Sequence, residues 1–151
     1  ITFDGATEFL KCVAFTLNQP TQVSMLASQI TWAAQDRFTD GNTITSLVIM
    51  QRAFSPQLAL FAGLLACQNT NMAVGAYSAV TALFSGASSS LKIDATATTT
   101  GDPSTTNAGG FTLGSLTDGS QPANIAVKEV IVRNVDDSTI RANDHAYLQT
   151  L

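Results

Sequence analysis

The chain has 151 residues and a mass of 15.8 kDa, the length of one domain with one core, able to bury about two-thirds of its unfolded surface. Apolar residues make up 45% and charged residues only 12%, with 7 basic and 11 acidic side chains and a net charge of −4, a balance that excludes a general nucleic-acid binder. Twenty Thr and thirteen Ser supply the polarity that Lys and Glu usually supply.

Residues 1–10, ITFDGATEFL, hold no basic region followed by an apolar run, so no secretory leader is expected there. From Thr7 to Leu17, the residues Leu10, Val13, Ala14 and Leu17 fall on one helical face until Asn18-Gln19-Pro20 stops the run. A second helix is predicted from Thr21 to Phe38, through Val23, Leu26, Ala27, Ile30, Ala33, Ala34 and Phe38. Asp40-Gly41 ends it as a turn.

Between Thr43 and Phe84 the only charged side chain is Arg52. Three helices are predicted here. One runs from about Ile44 to Phe54, although the cluster Leu47, Val48, Ile49 and Met50 makes a strand the competing reading. Ser55-Pro56 reads as an N-cap followed by a first-turn proline, opening a helix through Leu58, Phe61, Leu65 and Cys67. The third, Met72 to Phe84, aligns Ala73, Ala76, Tyr77, Val80, Leu83 and Phe84, with Gly86 as its stop. The apolar run from Leu58 to Cys67 is about half the length a bilayer crossing needs, so no membrane role is expected.

The texture changes near Ser88. Leu91 to Ala95 alternates and can open a strand, and ATATTTGDPSTTNAGG reads as an exposed loop or mobile arm within 88–124. Phe111 to Leu116 suits a short strand. Ile125 to Arg133 is the best strand, with Val127, Glu129 and Ile131 on one face and Lys128, Val130 and Val132 on the other. Residues 134–138 turn the chain, and Thr139 to Leu148 is expected to return as its hairpin partner.

The catalytic inventory is thin. His145, the single histidine, lies beside Asp144, and no GxSxG elbow accompanies it. Cys12 and Cys67 lack metal or redox spacing and read as small buried hydrophobes, with a bridge between them left open. One histidine without clustered cysteines excludes a structural zinc site. Asp102, Asp118, Asp136, Asp137 and Asp144 lack the spacing of a calcium loop. Glu8 and Glu129 are the only glutamates and suggest no glycosidase pair. Gly109 to Gly114 opens no helix and ends in no GK[ST], so no phosphate loop is read. No catalytic residue, cofactor or metal is assigned.

Lys11, Arg37, Arg52, Lys92, Lys128, Arg133 and Arg141 are scattered. Arg52 stands apart. Alone in a charge-free stretch, it is either exposed beside Gln51 or paired with an acid supplied across an interface, because an unpaired buried charge is costly.

The expected architecture is therefore a single α+β domain: about five short helices over 1–87, a Thr/Ser/Gly-rich loop or arm over 88–124, and a β-hairpin over 125–151 in a small antiparallel sheet. Few charges, apolar helices and a Thr/Gly-rich arm make the composition similar to that of subunits in viral capsids, tails and filaments, whose surfaces are covered by neighbours. The function expected on that basis is that of a non-enzymatic structural subunit in a virion or extracellular assembly. Its partners would be copies of itself or other subunits, with no nucleic acid, membrane or small-molecule substrate. Arg52, Leu58, Phe61, Leu65, Tyr77 and Phe84 are the interface candidates. The alternative is a binding module, adhesin-like or lectin-like, that uses the 95–124 loops; an enzyme built on His145 ranks below both.

Overall fold

A computed structural model describes residues 1–43 and 45–151. Ile44, where one of the predicted helices begins, lies outside the described residues. The elements run β1 (Thr2–Asp4), β2 (Leu10–Lys11), β3 (Thr21–Gln29), β4 (Thr39–Asp40), β5 (Val48–Gln51), β6 (Leu58–Phe61), β7 (Leu65–Asn69), β8 (Tyr77–Phe84), β9 (Ser89–Ile93), β10 (Thr99–Gly101), β11 (Thr112–Leu113), β12 (Asn124–Arg133) and α1 (Ser138–Leu148). The protein is mainly β with one helix, and this overturns the α+β expectation of an N-terminal bundle of five helices.

One layer is an antiparallel sheet in the order β1-β12-β3-β8-β9-β10. Two three-stranded sheets, β2-β11-β4 and β5-β6-β7, form the other. They adjoin where Arg37 pairs antiparallel with Met50 and the Phe38 N–H donates to the Ile49 carbonyl at 2.8 Å. Inward side chains from both layers fill one core, including Val23 and Met25 of β3, Ile49, Leu58 and Leu60 of the second layer, Phe84 of β8 and Leu91 of β9. This is a two-layer sandwich.

Thr7 to Leu17 is no helix because all of it before Leu17 runs exposed along the surface with only Leu10–Lys11 in a strand, and the other helical readings share one reason for failing. In β3, Val23, Met25 and Ala27 face the core while Leu26 lies in a separate cluster on the outer face with Ala79 and Leu148. A strand covered on both sides carries apolar residues at both parities, and that run satisfies helical spacing by coincidence. The same holds from Val48 to Phe84. Leu47 and Ile49 point inward while Val48 and Met50 point outward, and Leu58 and Leu60 point inward while Ala59 and Phe61 point outward. The competing strand reading of Leu47 to Met50 is the one the structure supports.

β12 confirms the predicted strand but not its faces. A bulge between Val127 and Glu129 leaves Lys128 unpaired, so Val130 and Val132 join Ile125 and Val127 on the core side while Glu129 and Ile131 turn outward. The expected hairpin partner is instead α1. Asp137 caps it, accepting from the N–H groups of Thr139 and Ile140 at 2.8 and 3.1 Å. Asp144, His145 and Leu148 form its buried face. No described helix is long and apolar enough to cross a membrane.

The 102–110 stretch is stitched to the body rather than free. Gln19 donates through Nε2 to the Ser104 and Thr106 carbonyls at 3.1 and 3.0 Å, and the Ala108 N–H donates to the Leu17 carbonyl at 3.1 Å. Asp40 pins the adjoining loops from a buried position, accepting from the N–H groups of Gly41, Ser46 and Thr117. Both cysteines are free. Cys67 is buried as expected, whereas Cys12 is exposed because residues 9–15 run along the surface.

Candidate functional site

On the outer face of the six-stranded sheet, the register sets polar side chains in rows. Gln22 of β3 lies opposite Arg133 of β12 and Leu83 of β8; one row along, Ser24 pairs with Ile131 and Thr81, and Thr81 pairs with Lys92 of β9. Across these rows lies α1. Its Asp144 accepts from Gln22 Nε2 at 2.7 Å and from Arg133 Nε and Nη2 at 2.7 and 2.9 Å. Leu148 is buried on Leu26, Ala79 and Ile131. Together these contacts fix where the helix sits.

Between α1 and the β8–β10 side of the sheet, a cavity of about 170 Å³ remains. Its floor is Thr81, Ser90 and Lys92, with Thr98 at one margin, and its wall is Ser138, Arg141, Ala142 and His145. Arg141 donates to Asp136 at 3.1 Å, but among the described residues no carboxylate lies within ion-pairing distance of Lys92. The cavity therefore presents one uncompensated ammonium, one partly engaged guanidinium and several hydroxyls.

His145 closes the inner end. Its Nε2 lies 2.9 Å from the Asp94 carbonyl, which only accepts, so the proton sits on Nε2 and Nδ1 accepts from the Thr81 hydroxyl at 2.8 Å. Burial pulls the imidazole below its ordinary pKa, with Lys92 adding to that and the Asp94 carbonyl and carboxylate opposing it. A neutral histidine with both nitrogens engaged is a latch between helix and sheet. A hydroxyl beside an imidazole is also the pairing that activates a nucleophile, but Thr81 is only 3% exposed, leaving little room for a substrate to approach it.

The residues singled out from sequence scatter. Leu58 and Phe84 are fully inside the core, Phe61 and Leu65 are half-buried beside Val48, Met50 and Ala59, and Tyr77 is exposed beneath the Lys128 ammonium. Arg52 is half-buried on the opposite layer from the cavity. The apolar interface expected of helices over 43–84 is not formed that way: β5 to β8 carry the described residues of that segment, and their inward side chains fill the core. Asp144 and His145, in a segment expected to be a strand, share the buried face of a helix. Ser90, Lys92, Thr98 and Arg141 were not assigned to a site from sequence. No local motif joins them, since they converge from different elements; the only signal was the Asp137-Ser138 cap followed by Arg141, His145 and Leu148 at helical spacing.

Among the described residues, no group of three or more His, Cys, Asp or Glu is placed to hold a metal ion. Compared with known proteins, the chain matches no family model and no curated sequence.

Proposed function

We propose that this chain is a non-catalytic binding module whose ligand occupies the cleft between α1 and the six-stranded sheet. The observation that carries this reading is Lys92, an ammonium with no ion-pair partner among the described residues, at the floor of a cavity ringed by Ser90, Thr98, Ser138 and Arg141. Convergent polar groups of this kind orient a small ligand, and the cationic balance selects one that is polar and carries negative charge. Titration with a panel of neutral sugars, sugar acids and small organic acids, followed by NMR, tests it. The expected result is saturable shifts at Lys92, Thr98 and Arg141 for acidic members, lost in Lys92→Ala. A panel that leaves these residues unmoved, or that moves them equally in Lys92→Ala, overturns it.

A second reading, self-association, is favoured by one observation. Phe9, Leu10, Val13 and Phe15 are exposed along residues 9–15, beside an apolar hollow formed by Leu10, Phe111, Leu113 and Val130. Light scattering across concentration decides it: a concentration-dependent mass abolished by Val13→Asp supports association through this strip, and a constant monomer removes it.

A further inference from the structure

The second layer brings two arginines together with no carboxylate bonded directly to either among the described residues. Arg37 pairs with Met50 across the β4–β5 boundary, which puts their side chains on one face, and alternation along the chain returns Arg52 to that face. Arg37 and Arg52 are thus diagonal neighbours, a separation of about 7–8 Å that long side chains readily bridge. Gln57 sits opposite Arg52, its carbonyl accepting from the Arg52 N–H at 2.8 Å.

Arg37 Nε and Arg52 Nε are buried and, among the described residues, have no hydrogen-bond partner, and Gln57 Oε1 is in the same condition. Among the described residues the one side-chain hydrogen bond of the Arg37 guanidinium runs to the Met50 sulfur, 2.7 Å from Nη1, a weak acceptor for a charged donor. Among the described residues neither guanidinium has a carboxylate within ion-pairing distance; Asp40 and Asp36 act on Arg37 only through space, and the Arg52 charge opposes them there. Two buried Nε–H donors left unmet side by side are costly, carboxylates at longer range do not bond them, and an oxygen anion is the group that satisfies both, because the guanidinium edge matches it geometrically.

We infer that Arg37 and Arg52 form the protein half of an oxyanion site on the outer face of the second layer, taking a phosphate or sulfate group between the two guanidinium edges. Gln57 accepts from a hydroxyl or amide on the group that carries the anion. This site is separate from the α1 cleft and does not depend on it.

The test is titration of the intact protein with inorganic phosphate, with inorganic sulfate and with acetate, following the arginine Nε–Hε NMR signals. Phosphate and sulfate are expected to shift the Arg37 and Arg52 signals saturably, with acetate weaker. Arg52→Lys keeps the charge and loses the Nε–H, so it should weaken phosphate by about tenfold, since a point charge does not replace the planar fork. Arg37→Lys should do the same, which keeps the test decisive if one variant fails to fold. Lys92→Ala should leave phosphate binding here unchanged, so failure of the cleft reading and failure of this one are read apart. The inference is overturned if phosphate and sulfate shift neither Nε–Hε signal saturably, or if both lysine variants bind phosphate as tightly as the parent.

Discussion

Leu148→Ala tests the claim that α1 is held to the sheet by a small apolar contact rather than by its own helical preference. Leu148 is fully buried against Leu26, Ala79 and Ile131. The substitution removes three carbons, and at about 0.8 kcal/mol each the lost transfer free energy is about 2.4 kcal/mol. The space left behind adds a cavity term, held small because a helix lying on a sheet can settle by a few tenths of an ångström, so the total is about 3 kcal/mol. For a chain of this size that corresponds to a fall in Tm of about 6–12 °C. Urea unfolding followed by Trp32 fluorescence measures it as a lower midpoint with unchanged slope, and amide exchange in α1 should quicken by about a hundredfold. A loss under about 1 kcal/mol would refute the reasoning, because α1 would then be held by something other than Leu148.

Three further outcomes follow from buried polar groups. Because burial keeps His145 below its ordinary pKa, the unfolded chain takes up a proton first as pH falls; stability is full above about pH 6.5, declines below it and levels off past the folded pKa. Urea midpoints between about pH 5 and 7.5 should therefore slope in the parent and flatten in His145→Gln. The Cys67 thiol is pushed up to about 11 by burial, so native alkylation read by mass spectrometry should add one group, at exposed Cys12, and a second only after denaturation. Asp40→Ala strands the N–H groups of Gly41, Ser46 and Thr117 and should cost at least about 3 kcal/mol in urea unfolding, with Asp40→Asn costing less because its amide oxygen still accepts.

What sequence could and could not show divides along physical lines. The β12 strand was legible because Ile, Val and alternation coincide there, yet its faces were not, since a one-residue bulge at Lys128 inverts every later side chain. β3 was misread because Val23, Leu26, Ala27 and Ile30 fit a helix as well as Val23, Met25 and Ala27 fit a strand. Only tertiary cover on both faces, which no local pattern contains, decides between them. α1 was missed because a helix lying on a polar sheet face has a weak apolar stripe, leaving the Asp137 cap as its main mark. The isolation of Arg52 was legible, and it left two readings open, exposure beside Gln51 or an acid supplied across an interface. Its neighbour was not legible, because Arg37 arrives through a strand crossing fixed by the fold. Thr81 and His145, 64 positions apart, meet by the same kind of closure.

The pairing order carries a consequence for how the molecule comes into being. β3, near the start of the chain, sits between β8 and β12, and β1 completes the sheet only against residues 124–126. A chain emerging from the ribosome therefore holds β3 without its two neighbours until β8 and then β12 have been made. The sheet closes only when residues near 133 arrive, so folding is a late, long-range event and slow by the measure of sequence separation. Its vulnerable period is translation itself, when half-built sheet edges are open to other chains.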